Sequence, residues 1–116
     1  MIKLGSVALD CPDPAALAGF YAELLDRKVT YTSDDWVTVG GDGVDLSFQR
    51  VADYRAPRWP DPEAPQQSHL DLTVADLDAG EAKALALGAR PLDTRKDRGW
   101  RVYADPVGHP FCLCKE

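Results

Sequence analysis

His69 and Asp71 stand two apart in a stretch that alternates like a strand, and they form the most chemically capable pair in the chain. A strand turns every second side chain to the same face, so the two share one. An imidazole titrates near neutrality, and a carboxylate beside it suits general acid–base work. The plainer reading is a half-buried histidine satisfied by its neighbour. Cys112 and Cys114 are also two apart and share a face. That is not the C-x-x-C spacing of a zinc site. A reactive thiol needs a cationic neighbour or a helix N-terminus, so two small apolar residues are the default. Asp45, Ser47 and Gln49 share one face of another alternating stretch. Trp36, Trp59 and Trp100 either pack in a core or line an aromatic pocket suited to a flat or cationic ligand. Arg58, beside Trp59, can pair with a ligand carboxylate or phosphate, or with an acid at a rim. His109, between Gly108 and Pro110, reads as a turn residue.

The remaining catalytic signatures are missing. There is no G-x-S-x-G, no phosphate-cradling loop and no G-x-G-x-x-G. Gly40-Gly41-Asp42-Gly43 joins two strand patterns with no helix after it, which makes it a hairpin turn.

The elements that must position these residues follow from local pattern. A first strand is expected over 3–10. Asp13 can cap a helix and Pro14 suits its first position. The spacing of Leu17, Phe20, Tyr21, Leu24 and Leu25 predicts that helix over 14–25 with one buried stripe. Strands are expected over 29–32, 36–39 and 44–50, separated by turn clusters. Residues 51–67 hold four prolines and no periodicity, so they read as an extended linker. A strand over 68–74 follows, then a helix over 77–87. That helix is capped by Asp76 and ended by Gly88, with an expected inner face of Ala79, Ala82, Leu85 and Ala86. Strands over 89–92, 100–104 and 111–115 complete the chain.

The order repeats. One offset of 63 residues lays Ser6 on His69, Leu9 on Leu72, and Asp13 on Asp76. A single strand–helix–three-strand unit would leave one sheet face open. Two such units can close around a shared hollow, a common place for small molecules.

A chain of 116 residues fits one domain. Its formal charge of −6 argues against nucleic acid or an anionic membrane as partner. No apolar run approaches the roughly 20 residues of a membrane span, and residues 1–9 do not read as a signal peptide. An odd cysteine count suggests free thiols in a reducing, cytoplasmic setting.

Three phrases carry a family likeness. Residues 7–14 (VALDCPDP), 20–25 (FYAELL) and 105–111 (DPVGHPF) resemble the vicinal oxygen chelate superfamily. That superfamily holds glyoxalase I, bleomycin-resistance proteins, fosfomycin-resistance enzymes and extradiol dioxygenases. The resemblance spans the chain and is nearest to the glyoxalase-like branch. Asp26 replaces the glycine usual after Leu-Leu. The resemblance implies four metal-ligand positions, falling on Ser6 (usually His), Asp45, His69 and Cys112 (usually Glu). Hydroxyl and thiol are weak choices for a hard catalytic ion.

The expectation is therefore an α+β fold of two tandem βαβββ modules forming a cupped mixed sheet around a central pocket. Module one is 1–50, the linker 51–67 and module two 68–116, together one glyoxalase-like domain. The pocket should draw on Ser6, Trp36, Asp45, Ser47, Gln49, Arg58, Trp59, His69, Trp100 and Cys112. The expected role is binding a small organic molecule, in a homodimer, with no cofactor. The alternatives are a lyase, isomerase or dioxygenase using Zn, Ni, Mn or Fe, and a metal-free acid–base enzyme using His69.

Overall fold

Asp13 and Asp76 each start a helix by the same device. Asp13 Oδ1 accepts from the Ala16 amide at 3.4 Å, and Asp76 Oδ1 accepts from the amides of Asp78 (2.9 Å) and Ala79 (3.2 Å). Each carboxylate satisfies amides that the first helical turn leaves without partners. A computed structural model describes all 116 residues, in two compact units, Met1–Tyr54 and Arg55–Glu116. The chain is α+β, and each unit is one βαβββ module. No helix is long and apolar enough to cross a membrane.

In the first unit the order is β1 (Ser6–Cys11), α1 (Pro14–Leu24), β2 (Lys28–Thr32), β3 (Trp36–Gly40) and β4 (Asp45–Arg50). The sheet runs β1-β4-β3-β2, with β1 parallel to β4 and the other pairs antiparallel. Leu17, Phe20 and Tyr21 of α1 are buried, and Tyr21 stacks on Phe48 with centroids 5.5 Å apart. Val37, Val39, Leu46 and Phe48 share that core. Asp26 takes φ 53°, the left-handed region that explains a preference for glycine after the helix. A short polar side chain tolerates this conformation better than most.

In the second unit the order is β5 (Leu70–Val74), α2 (Leu77–Ala86), β6 (Arg90–Asp93), β7 (Trp100–Ala104) and β8 (Pro110–Lys115). The sheet runs β5-β8-β7-β6, with β5 parallel to β8. Both edge hairpins carry a register shift at the same relative place, between Val29 and Tyr31 and between Pro91 and Asp93. The repeat thus extends to an irregularity that the sequence does not announce.

The inner face of α2 differs from the expected one. Ala79, Ala82, Leu85 and Ala86 are exposed, and Leu77, Gly80, Glu81 and Ala84 turn inward. The cause is a polar contact across the helix–sheet interface. Arg101 of β7 is 4% exposed; its Nη2 lies 2.9 Å from Asp78 Oδ1 and its Nη1 3.4 Å from Glu81 Oε2. Tyr103 donates to Glu81 Oε1 at 2.8 Å. A buried cation needs its partners close, and that requirement outweighs the weak apolar stripe of the alanines. Gly80 lets the helix approach: a Cβ there would lie 3.1 Å from Val74 Cγ1 and 3.3 Å from Leu113 Cδ1.

The DPVGHP phrase builds the turn between β7 and β8. Asp105 is fully buried, and its Oδ1 accepts from the amides of Val107 and His109, both at 3.0 Å. Its own amide donates to the His109 carbonyl at 2.8 Å. Gly108 takes φ 99°, and a Cβ there would meet Ala56 Cβ at 2.7 Å.

Candidate functional site

Alternation along β5 sends Leu70 and Leu72 one way and Asp71 and Thr73 the other. In the β5–β8–β7 register Asp71 faces Cys112, which faces Val102; Thr73 faces Cys114, which faces Trp100. Paired residues share a sheet face, so these two rows make a floor. His69, just before β5, and Pro110, which opens β8, extend it. Segment 55–67 contributes Trp59 and Gln66. The result is a cavity of about 420 Å³ lined by Trp59, Gln66, His69, Asp71, Trp100, Val102, Pro110, Cys112 and Cys114, all within the second unit.

The polar groups converge. His69 Nε2 lies 3.1 Å from Asp71 Oδ1, and donor atoms of His69, Asp71 and Cys112 fall within 4.8 Å of one another. Burial pushes the Cys112 thiol up to about 11, assisted by the Asp71 charge and Cys114. Cys114 is also raised, by burial and then Asp71. Both are neutral thiols near pH 7, which makes them poor nucleophiles. Gln66 Oε1 is buried and accepts no hydrogen bond. Trp100 is held from one side: the Arg98 guanidinium lies 3.6 Å from its ring centroid. Arg98 Nη2 is in turn 2.8 Å from Asp93 Oδ1, and that pairing holds the Asp93 carboxyl below its usual value.

Four of the residues expected in a pocket line this cavity: Trp59, His69, Trp100 and Cys112. Arg58 does not; its Nη2 lies 3.3 Å from Asp61 Oδ2, the rim pairing that sequence offers as its simpler role. Ser6, Trp36, Asp45, Ser47 and Gln49 lie in the first unit, on the sheet face opposite α1. There Trp36 Nε1 donates to Thr38 Oγ1 (3.0 Å), Thr38 Oγ1 meets Ser47 Oγ (3.0 Å), and Ser47 Oγ meets Ser6 Oγ (2.6 Å).

The register also corrects one correspondence. The repeat lays His69 on Ser6 and Asp71 on Ala8. Asp71 faces Cys112, as Ala8 faces Ser47. The first-unit counterpart of Cys112 is therefore Ser47 and not Asp45. Asp45 sits two residues earlier, opposite Ser6. Gln66 was not singled out from sequence, because an amide in an aperiodic loop gives no signal. Asp71 was legible from its shared face with His69.

An imidazole, a carboxylate and a thiol together suit a zinc-type ion with an open position. The three donors of the second unit fit that description. Ser6 and Ser47, the counterparts of His69 and Cys112, offer only hydroxyls already bonded to each other. The donors that fit a metal are therefore those of the second unit, His69, Asp71 and Cys112.

Residues 6–114 match the family model described as a glyoxalase-like domain. Among solved structures, one similar fold is a glyoxalase/bleomycin resistance protein/dioxygenase family enzyme from Burkholderia phytofirmans PsJN. It is 14% identical over 98% of both chains, with a TM-score of 0.77. Another is the fosfomycin resistance protein FosX from Mesorhizobium loti, 15% identical over 98% of this chain and 92% of that one, TM-score 0.76. A third is TnmS3, an antibiotic binding protein from Streptomyces sp. CB03234, 20% identical over 99% and 96%, TM-score 0.63. At such identities the likeness is one of fold. No curated protein matches the sequence.

Proposed function

The chain belongs to the glyoxalase-like domain family, and from that premise we propose that it binds a small organic molecule in the cavity of the second unit and holds it without converting it. The observation that carries this reading is the cavity wall: two indoles, Val102 and Pro110 around a space of about 420 Å³. Such a space is of the size and apolar character of small-molecule sites. The indoles supply contact area at little entropic cost, and Asp71, His69 and Gln66 orient what is bound. The neutral Cys112 and Cys114 thiols fill space and do not attack. TnmS3, of similar fold, is an antibiotic binding protein. Exposed Val29 and Tyr31 on the edge strand β2 support a homodimer, and the three free cysteines support a reducing, cytoplasmic setting.

A thermal-shift screen of planar aromatic compounds, followed by mass analysis of the recovered compound, tests the reading. The expected result is stabilisation lost in Trp59→Ala, with the compound recovered unchanged. Steady conversion to product would overturn it.

A second reading has its own observation, the 3.1 Å contact of His69 Nε2 with Asp71 Oδ1. A carboxylate that orients an imidazole is an acid–base arrangement. If a divalent ion joined His69, Asp71 and Cys112, it would supply Lewis-acid polarisation of a bound oxygen. Turnover abolished by His69→Gln would favour this reading. Metal dependence of that turnover would divide lyase, isomerase or dioxygenase chemistry from metal-free catalysis.

A further inference from the structure

We propose that the molecule bound in the second-unit cavity is a flat ring system carrying a positive charge on an N–H-bearing group, of the protonated aromatic amine or amidine class. This rests on the reading of the cavity as a binding site and adds the chemistry of its occupant.

The charge follows from the lining. No lysine or arginine is among the lining residues, and the one carboxylate there is Asp71. Its only lining partner that can carry positive charge is His69. A carboxylate accepts at about four lone-pair sites. His69 occupies one, and the Cys112 thiol beside it uses a second. The Asp71 side chain is 64% exposed, so it can take further donors. Arg98 lies outside the lining and is bonded to Asp93 at 2.8 Å, a carboxylate that Arg95 also engages at 3.1 Å. An anionic ligand would meet Asp71 with no lining guanidinium or ammonium to offset it.

The donor follows from Gln66. Gln66 is among the lining residues, and its Oε1 is buried with no partner in the protein. Such an acceptor is costly unless a donor reaches it. A ligand N–H satisfies it once the Gln66 side chain turns towards the cavity, and a ligand with acceptors alone does not.

The flat shape follows from the indoles. Trp59 and Trp100 both line the cavity, and indole faces attract flat rings and cations. Arg98 covers one side of Trp100 from outside the cavity. That contact fixes the plane of the ring and leaves its other side to the ligand.

Three ring systems of equal shape test the proposal at pH 8 by titration calorimetry. They are 9-aminoacridine (cationic, with N–H donors), 9-methylacridine (neutral) and acridine-9-carboxylate (anionic). The expected order is cation over neutral compound by about tenfold, the scale of one charge-assisted hydrogen bond, with the anion weakest. Asp71→Asn should remove most of the cation's advantage over the neutral compound. Gln66→Leu should weaken the cation more than the neutral compound. Added salt should weaken the cation for the wild type but not for Asp71→Asn. Equal affinity for all three, lost in Trp59→Ala, would overturn the charge preference while keeping the cavity as a binding site. Preference for the anion would overturn it likewise. Absence of binding by all three would remove both the proposal and the reading it rests on.

Discussion

Cys112 lies directly across from Asp71 in the parallel β5–β8 register, a thiol facing a carboxylate. Burial raises that thiol from 9.0 to about 11, and the carboxylate adds to the effect by disfavouring a second negative charge. Alkylation of Cys112 by iodoacetamide should therefore be slow at pH 8 and rise towards pH 11. Asp71→Asn should move the profile to lower pH, because removing the charge favours the thiolate. A wild-type profile centred near 8.5 would contradict the assigned environment.

The same shift has a consequence for stability. The folded thiol is raised above its unfolded value, so its contribution is present below about pH 9 and lost as pH climbs through about 11. Melting temperature should fall over that window, and less so in Cys112→Ala measured against its own neutral-pH value.

At the acid end the relevant pair is Arg101 and Asp78. The Arg101 hydrogen bond and charge hold the Asp78 carboxyl below its ordinary 3.8. A depressed carboxylate stabilises the fold above its unfolded value and ceases to do so as pH falls through the folded one. Asp78→Asn should abolish this part of the acid sensitivity. Acid titrations followed by circular dichroism, each compared with its own pH 7 signal, will show whether the slope below pH 4 flattens.

Two glycines in helices should respond in opposite senses to alanine. A Cβ at Gly19 of α1 meets nothing within 4 Å, so Gly19→Ala should stabilise by about 0.8 kcal/mol through helix propensity. At Gly80 of α2 the added methyl presses on Val74 and on Leu113, which is 2% exposed. Overpacking costs about 1–3 kcal/mol, so Gly80→Ala should destabilise by about 1 kcal/mol net. Urea titrations of the two variants measure both values.

Metal content separates the binding reading from the metal-centred form of the second one. Binding of planar compounds should survive dialysis against a chelator, because the indoles and Asp71 need no ion. Zinc retained at one equivalent, lost in His69→Ala and required for compound binding, would show that the three donors act as a metal centre.

The legible parts of the fold were those governed by local chemistry. Asp13, Pro14 and the Leu17–Phe20–Tyr21 spacing placed α1 almost to its ends, and Asp76 and Gly88 placed α2. The α2 face was misread because Glu81 looks like a solvent residue until Arg101 and Tyr103, some twenty residues on, claim it. The strand expected over 3–10 begins at Ser6, and the Gly5 carbonyl, which accepts from the Asp45 amide at 3.2 Å, makes the first bond to β4. Likewise the strand expected over 68–74 begins at Leu70. Within the site, His69 and Cys112 were readable from family likeness, and Asp71 from strand period. Ser47 lost out to Asp45 because register depends on where β1 meets β4, and a glycine-rich hairpin leaves that count open. Gln66 matters through the absence of a donor, a property of three-dimensional packing.

The turn at Gly108 leans on Ala56, three residues before the indole of Trp59. A side chain there would strain the turn at φ 99° and also press on the strip of chain that carries one wall of the cavity. If the cavity binds as proposed, a lesion at this tight corner would reach its wall through Ala56, so a residue remote from the occupant would share control over its grip.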